Sequence, residues 1–483
     1  MSVRALELAR PADERATGSL APGQEGEWEL MKELYPGEPG CARNLVCHSR
    51  YLHGALDLRA MERAVGDVTR RHDSLRIVLD SSDVEPRLRI EDDVEPPVEF
   101  LDLARFDEEK QRTLLRELVY RERRRSFDLE SAPAWHAWFV RLGRTTHLLN
   151  FCVNHLVADG WSSKVFVTDL MAAYGARVGA AAPPAEPAPS FVELSALQAR
   201  RRAPTPERLR YWRERLTPLP ERWPFAARPK PDADLLARQN LEFALPSETA
   251  ARLKAVAWRA RTTPYVVMLA GYHLLLSLRT GRPRTVIHIV TRERPTETEQ
   301  RAIFLCAGYP YVATDTPPES TLHDVIYATG RSMQEATDNQ IPYKDLARAV
   351  NPSFDGERPW SPPHLFDGDF TSWAYDEPTV ELAGLRVTER PPPEARPARY
   401  ASDRSGADFP DGLPRPWEFK SGPNLDISTY RDGGAVGFNP DVYPAEEMQR
   451  LADEYLWVME TLVWRHDIRV ESLRAGHARR FGS

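Results

Sequence analysis

The chain has 483 residues, with 64 Lys and Arg against 71 Asp and Glu, which gives a formal net charge of −7. This balance gives no argument for nucleic acid or an anionic membrane surface as a partner. With 42% hydrophobic and 28% charged residues, the composition is that of an ordinary globular protein, and the length is enough for two to four average domains or for two large lobes around one cleft.

The four cysteines and the N-terminus indicate the compartment. No pair of cysteines has C-x-x-C spacing, so we expect neither a zinc site, nor any other metal site, nor a disulfide framework. The first residues lack the long apolar core of a secretory signal. The longest apolar run, 265–278, has the length of a buried helix and is too short to span a membrane. These features predict a cytoplasmic protein.

The first half of the chain alternates strand and helix patterns after a loose N-terminal arm at residues 1–18. Asp57 is the expected cap of the second helix, since apolar residues follow it at helical spacing. The predicted elements are a helix at 24–35, a strand at 45–52, a helix from 58, a strand at 75–79, a helix at 107–125 and a hairpin of strands 135–140 and 147–153.

The segment 154–162 follows the second hairpin strand and holds the candidate site. His155 lies four residues before Asp159-Gly160, and apolar residues at helical spacing follow, with Ser162 or Ser163 as the expected N-cap. A histidine at a strand end can accept a proton from an amine or hydroxyl near neutral pH. We expect Gly160 to permit a backbone geometry that a side chain would block. For this pattern alone, a core histidine in an ordinary turn is the commoner explanation.

The second half begins after a Pro-rich crossing. Residues 180–190 form a linker, a helix follows at 207–216, and we place the lobe boundary at 217/218, so that the lobes are 19–217 and 218–483. The expected elements are a strand at 240–243, a helix at 246–261, a buried helix starting at Pro264, a strand at 286–290, long loops near the cleft at 359–393 and 395–422, a hairpin around Asp432-Gly433 and a closing helix at 448–462.

Several of these stretches together resemble one family. His155-Leu-Val-Ala-Asp159-Gly-Trp-Ser162 is similar to the HHxxxDGWS signature of condensation domains of non-ribosomal peptide synthetases, which are grouped with chloramphenicol acetyltransferase. Further resembling motifs are Leu20–Trp28 (LSxAQxxxW), Arg71–Arg76 (RHExLR), Phe127–Leu129 (FDL), Tyr211–Trp212 (YW), and Thr280–Gly281 followed by Arg294–Pro295 (TGxxx…NRP). Residues 304–312 resemble the family's IGxFVNT strand, which predicts a strand there. One position departs from the signature, because Asn154 replaces its first histidine.

The resemblance implies an α/β (α+β) fold with two chloramphenicol-acetyltransferase-like lobes in a V and a tunnel between them. It implies that His155 contacts the nucleophile, and that Asp159 pairs with Arg294 from the second lobe. Gly160 completes the catalytic set, and its amide can face the oxyanion. Asn154, Trp161 and Ser162 are expected to support the site by hydrogen bonding, packing and capping. Cys152 lies within an apolar strand and is expected to be inert.

The expected function is a free-standing condensation enzyme of secondary-metabolite biosynthesis. It would join an acyl or aminoacyl thioester, tethered by the phosphopantetheine of a carrier protein acting in trans, to an amine or alcohol acceptor that is a small molecule or carrier-bound. No cofactor is expected to be bound by the chain itself. Two alternatives stay open, an acyl-CoA-dependent transferase of the same superfamily and a non-catalytic module that docks a carrier.

Overall fold

The computed structural model describes residues 17–34, 41–42, 45–80, 86–123, 125–131, 133–182, 186–219, 239–351, 366–372, 380–388, 426–430 and 433–482. The predicted N-terminal arm therefore lies almost entirely outside the described residues, as do most of the two long loops and Asp432 of the predicted hairpin turn. All structural statements below concern the described residues.

The first half contains six helices and nine strands among its described residues. The helices are α1 (Pro22–Leu34), α2 (Leu58–Arg71), α3 (Glu108–Arg123), α4 (Gly160–Arg177), α5 (Phe191–Arg201) and α6 (Pro206–Leu216). The strands are β1 (Thr17–Ser19), β2 (Cys41–Ala42), β3 (Leu45–His53), β4 (Ile77–Asp80), β5 (Arg87–Ile90), β6 (Val98–Asp102), β7 (Phe127–Asp128), β8 (Trp135–Arg141) and β9 (Thr146–Asn154).

The second half contains seven helices and eight strands among its described residues. The helices are α7 (Ser247–Arg259), α8 (Pro264–Thr280), α9 (Glu297–Gln300), α10 (Leu322–Asp338), α11 (Tyr343–Val350), α12 (Ala445–Trp464) and α13 (Val470–Phe481). The strands are β10 (Gln239–Ala244), β11 (Arg284–Ile289), β12 (Tyr311–Asp315), β13 (Gly368–Ser372), β14 (Val380–Leu382), β15 (Leu385–Thr388), β16 (Asp426–Tyr430) and β17 (Gly433–Phe438).

Each half is built on a mixed six-stranded sheet. The first sheet has the order β14-β15-β3-β9-β8-β6, and the second has the order β10-β17-β16-β13-β11-β12. In the first sheet, β3 and β8 flank β9 in antiparallel register, so β9 is a central strand. The chain therefore carries β9, with its candidate site at the C-terminal end, in the middle of a sheet.

Aromatic packing fixes helix α4 against this central strand. Phe151 of β9 stacks on Phe166 of α4 with ring centroids 4.0 Å apart, and Trp135 of β8 lies 5.8 Å from Phe151. All three side chains are fully buried, and each contributes roughly 1.5–3 kcal/mol by leaving water. The end of β9 and the start of α4 are thus held in a fixed relative position, which positions the turn between them.

Two segments of the second half pack with the first. Strand β15 pairs antiparallel with β3 through Val387 and Leu52, so the first sheet includes residues from late in the chain. Residues 302–306 pack into the hydrophobic core of the first sheet through their apolar side chains. The lobe boundary at 217/218 stays a prediction, because these contacts join residues from both of its sides.

The hairpins, the Asp57 cap and most helices agree with the sequence predictions. The Asp57 side chain accepts a hydrogen bond from the Ala60 amide at 3.0 Å, and Pro264 begins α8 after the capping residue Thr263. Five helices have no counterpart among the predicted elements, namely α5, α9, α10, α11 and α13. Strands β13, β14 and β15 lie in a region where we expected long loops, because these short strands are defined by pairing with distant residues that local propensity does not reveal.

The predicted strand at 304–312 is wrong in its first half. Strand β12 begins only at Tyr311. The preceding residues are buried and apolar, which is typical of a strand, but several of their backbone groups bind side chains instead of a neighbouring strand. Phe304, for example, donates its amide to Ser162 and accepts Arg294 on its carbonyl oxygen.

Candidate active site

The His155 turn, residues 154–162, connects the end of β9 to the start of α4. The Asn154 side chain, fully buried, accepts a hydrogen bond from the Leu156 amide at 2.8 Å. From α1, the Gln24 side-chain amide donates to the Leu156 carbonyl oxygen at 2.7 Å. Asn154 is therefore a buried, hydrogen-bonded scaffold residue as predicted, and Gln24 ties the opening helix to the same turn.

His155 differs from its neighbours in the turn by being partly exposed. Asn154 and the residues from Leu156 to Asp159 are buried, whereas His155 retains accessible surface. Its Nδ1 atom is buried and has no hydrogen-bond partner among the described residues. His155 is thus partly exposed between buried neighbours on both sides, as expected for a group that meets a substrate. Its catalytic role stays a prediction.

Asp159 and Arg294 form the predicted ion pair. Arg294 Nη2 lies 2.7 Å from Asp159 Oδ1, and the two side chains are 0% and 7% exposed. The second carboxylate oxygen accepts the Cys306 amide at 3.0 Å. Arg294 also donates to the carbonyl oxygens of Ala302 and Phe304, at 2.8 and 2.7 Å. Both charges are therefore paired and hydrogen-bonded, which is the condition under which burial of an ion pair is tolerated.

Asp159, and not Ser162 or Ser163, is the N-cap of α4. Its carboxylate accepts the Ser162 amide at 3.0 Å, and the Ser162 hydroxyl oxygen accepts the Asp159 amide at 3.2 Å. This reciprocal capping box places Ser162 at the third helical position, so the predicted cap was three or four residues late. The Ser162 hydroxyl oxygen also accepts the Phe304 amide at 3.1 Å, which links the cap to the second half.

The backbone at Gly160 does not need a glycine. Among the described residues with positive φ, Gly160 does not occur, and a Cβ added to it would lie 3.8 Å from His48 Nε2, an ordinary contact. Our expectation that a side chain would block the local backbone geometry is therefore wrong. Gly160 is the first residue of α4, where helical φ and ψ are available to any residue. What the glycine leaves open is space beside the half-buried His48.

Trp161 connects the turn to the second half through its ring. The indole Nε1 donates to the Gln300 carbonyl oxygen at 2.9 Å. Lys164 and Arg292 lie over the ring, with their charged groups 4.1 and 4.4 Å from its centroid. Because the ring is only partly buried, Trp161 acts at the edge of the site as a bridge between the halves, which agrees with the predicted packing role.

Sequence reasoning missed the polar residues that secure α1 and α5 to the site. Gln198 of α5 accepts the Gly23 amide at 2.9 Å and donates to the Leu305 carbonyl oxygen at 3.1 Å. Arg202 contacts Glu293 at 2.8 Å. These pairs are separated by 91 to 175 residues along the chain, so no spacing pattern could have revealed them.

The cysteines depart from expectation in one respect. Cys47 and Cys152 face each other across β3 and β9 and are paired as a disulfide, with their Cα atoms 4.1 Å apart. The expectation of no disulfide was wrong because a sequence separation of 105 residues hides a direct cross-strand register. Cys152 is therefore not a nucleophile. Cys306 is buried, and burial raises the pKa of its thiol to about 12, which leaves it unreactive.

The described residues contain no group of three His, Cys, Asp or Glu side chains that could hold a metal ion. In the same part of the chain, no helix has both the length and the apolar character needed to cross a membrane.

Comparison with known proteins supplies the class and then the family. The SgcC5 protein from Streptomyces globisporus, crystallised with (R)-(-)-1-(2-naphthyl)-1,2-ethanediol and sucrose, matches with a TM-score of 0.72 at 20% identity over 94% of this chain and 100% of that one. The X-domain from teicoplanin biosynthesis, in complex with OxyB, matches with a TM-score of 0.72 at 21% identity over 98% of both chains. The fold is thus the two-lobed chloramphenicol-acetyltransferase-like fold of condensation domains.

The sequence assigns the family. The model of the condensation domain matches residues 15–364, and the chain belongs to this family. Phosphinothricin tripeptide synthetase PhsB of Streptomyces viridochromogenes is 26% identical over 475 residues, which cover 96% of this chain and 37% of PhsB. The chain spans little more than a third of the length of that curated relative.

Proposed function

We propose that the chain forms an amide or ester bond between an acyl thioester held by a carrier protein and an amine or alcohol acceptor. Family membership supports a bond-forming role in peptide biosynthesis. The observation that carries the proposal is the arrangement of the His155 turn. His155 is partly exposed between Asn154 and residues 156–159, which are buried, and Arg294 from the opposite half holds Asp159 of this segment.

The reaction balances without any further reagent. The acceptor nitrogen or oxygen attacks the thioester carbonyl carbon, and a new C–N or C–O bond forms while negative charge develops on the carbonyl oxygen. The C–S bond then breaks, and the sulfur leaves as the pantetheine thiol after taking up the proton released by the acceptor. His155 is the group placed to accept that proton or to align the nucleophile, a contribution typically of 10²- to 10⁴-fold.

The remaining site residues would hold His155 in place. Asp159 and Ser162 fix the start of α4, and Asn154 fixes the end of β9. Because Asp159 already takes hydrogen bonds from Arg294, Ser162 and Cys306, it is committed to structure and is not available as a second base. The proposal therefore places the proton chemistry on His155 and uses Asp159 and Arg294 as positioning residues.

We propose that a carrier delivers the acyl group on its phosphopantetheine arm. The test is mass spectrometry of product from a loaded carrier mixed with amine and alcohol acceptors. Product that depends on His155 supports the proposal, and no product with any acceptor contradicts it.

A second candidate function is a docking module without turnover. Two observations favour it, the replacement of the first signature histidine by Asn154 and the likeness to an X-domain crystallised with OxyB. The partly exposed His155 and its intact support favour the enzyme. Binding of a loaded carrier that is unaffected by His155→Ala, without product, would favour docking.

A further inference from the structure

A histidine and an aspartate lie side by side on the second sheet, outside the site described above. His288 of β11 and Asp369 of β13 are direct neighbours in the parallel register of the two strands. His288 Nδ1 lies 2.6 Å from Asp369 Oδ1, and each side chain is 11% exposed. Both side chains of this His288–Asp369 pair are thus largely buried but keep some accessible surface.

Aromatic rings surround the histidine of this pair. The Tyr309 ring lies parallel to the His288 ring, with centroids 5.9 Å apart and an interplanar angle of 13°. The rings of Tyr311 and Phe366 lie 5.1 and 5.3 Å from it. The surroundings of His288 are thus mostly apolar, with the His288–Asp369 pair as their polar centre, which is the usual composition of a small-molecule site.

One of these aromatic residues, Tyr309, is hydrogen-bonded to α1, the helix that supports the His155 turn. The Tyr309 hydroxyl donates to Glu27 Oε1 of α1 at 3.0 Å. One helical turn earlier on α1, Gln24 donates to the Leu156 carbonyl oxygen of the His155 turn. Burial, and then the neighbouring Glu27 carboxylate, raise the pKa of Tyr309 well above its usual value, yet Tyr309 stays partly accessible. Helix α1 therefore contacts both Tyr309, which lies beside His288, and the His155 turn.

Comparison with the other histidine–carboxylate pairs shows what is unusual here. Elsewhere in the described chain, the carboxylate of each such pair also contacts an arginine. Asp169 with His72 contacts Arg71, Glu122 and Glu99 with His136 contact Arg125 and Arg121, and Glu454 with His477 contacts Arg279. Asp369 contacts His288 alone, and its Oδ2 atom is buried without any hydrogen-bond partner among the described residues.

An unpaired buried carboxylate oxygen is costly, and native proteins keep such groups mainly where they act. The missing partner is a hydrogen-bond donor with positive charge, because arginine fills that place in every comparable pair. Rings such as Tyr309 and Tyr311 also attract a cation that lies over their faces. We propose that His288 and Asp369 bind a primary ammonium group carried by a substrate of the condensation reaction. This assignment rests on the proposed function for the identity of the reaction.

Direct binding tests the site without requiring turnover. The full chain is titrated by calorimetry with 1-pentylammonium and with 1-pentanol, a neutral probe of the same length. Binding of the ammonium, at least tenfold weaker in Asp369→Asn and weaker in His288→Gln, supports the proposal. Equal affinity for both probes, no binding of either probe, or unchanged affinity in both variants would overturn it.

The matched control is Asp315→Asn. Asp315 lies on β12 of the same sheet and pairs with Arg284, but it is exposed and belongs to a complete ion pair. Its variant should bind the ammonium like the unaltered protein, and equal loss in Asp315→Asn would point to a general charge effect and contradict the site. Thermal unfolding of each variant tests for a folding defect. If Asp369→Asn does not fold, the affinity of His288→Gln for the ammonium tests the site instead.

A turnover experiment separates the site from the reaction. Product from a loaded carrier is measured with 1,5-diaminopentane and with 1-aminopentane as acceptors. If the site recognises the distal ammonium, the diamine has the higher kcat/KM, and the ratio of the two kcat/KM values falls toward one in Asp369→Asn. No product from either acceptor, with ammonium binding intact, would contradict the proposed function and leave the binding site standing. Equal kcat/KM for the two acceptors would contradict the site.

Discussion

Arg294 Nη2 lies 2.7 Å from Asp159 Oδ1, and this bond joins the second half of the chain to the first turn of α4. The two residues are 135 positions apart, and neither side chain is more than 7% exposed. The same guanidinium binds the carbonyl oxygens of residues 302 and 304, so one side chain orders two segments around the His155 turn.

Arg294→Met should be strongly destabilising. It leaves Asp159 buried without its counter-charge, a change that typically costs about 3–5 kcal/mol. Chemical denaturation measures the loss. Arg284→Met serves as the control because its ion pair with Asp315 is 41% and 46% exposed, and such surface pairs contribute about 0–1 kcal/mol. Similar losses in the two variants would contradict a special role for Arg294.

Asp159→Asn should partly rescue the Arg294 variant. With both charges gone, no unpaired charge stays buried, and the amide oxygen can still accept the Ser162 amide that the carboxylate accepts now. Strict additivity of the two single losses would mean that the residues do not interact.

His155→Ala should fold normally and lose most product formation, because the partly exposed imidazole supports little of the surrounding packing. Asn154→Ala should lose less activity but more stability, since its buried side chain accepts the Leu156 amide. Product rates and melting temperatures of both variants check this order. The reverse order in activity would place the chemistry away from His155.

Gly160→Ala should unfold at nearly the same denaturant concentration as the unaltered protein. Its φ is not positive and the new methyl group meets His48 at ordinary contact distance. Gly54→Ala is the contrast, because Gly54 has φ +138° and an added Cβ would clash with the Gly384 carbonyl oxygen. A positive φ costs a non-glycine residue about 1–2 kcal/mol before any clash. If Gly160→Ala is destabilised as much as Gly54→Ala, the assigned backbone geometry is wrong.

Acid should weaken the protein partly through Glu122. Burial alone would raise the pKa of this carboxyl, but hydrogen bonds from His136 and Arg125 lower it to about 2, against 4.5 for an unperturbed group. A folded pKa below the unfolded value gives stability that is present above about pH 4.5 and is lost as the pH falls toward 2. That shift corresponds to roughly 3 kcal/mol. Urea unfolding between pH 2.5 and 6 should show a weaker pH dependence in Glu122→Gln, and an unchanged slope would contradict the assignment.

The sequence predicted the parts of the site that follow from local pattern or from family motifs. The hairpin before His155, the start of a helix near Gly160 and the Asp159–Arg294 pair are all present. Motif spacing identified Arg294 as the partner of Asp159, because an ion pair requires a basic residue opposite an acidic one. The exact cap was misplaced because Asp, Ser and Thr all satisfy the same capping rule, and only the structure shows which side chain accepts the amide.

The rest depended on contacts between distant segments. Strand β15 exists because β3 offers it a free edge, and Cys47 meets Cys152 because of the register of β3 on β9. His288 and Asp369 are likewise 81 residues apart and become neighbours only in a parallel register. Local propensity contains no information about such pairings, so these contacts could not be predicted from the sequence.

The acyl donor gives the last prediction. The chain should use a thioester on a carrier protein in preference to the same acyl group on coenzyme A or on a short pantetheine mimic. The carrier must leave after each transfer, so its contact should be small and transient, burying less than about 1,200 Å². The net charge of −7 gives no strong overall steering toward an acidic carrier, so local contacts have to supply the preference.

The three donors are compared at equal concentration, with His155→Ala as the blank for uncatalysed transfer. If coenzyme A serves as well as the carrier, the chain is an acyl-CoA-dependent transferase. If no donor reacts and the chain still binds the carrier, docking is its function.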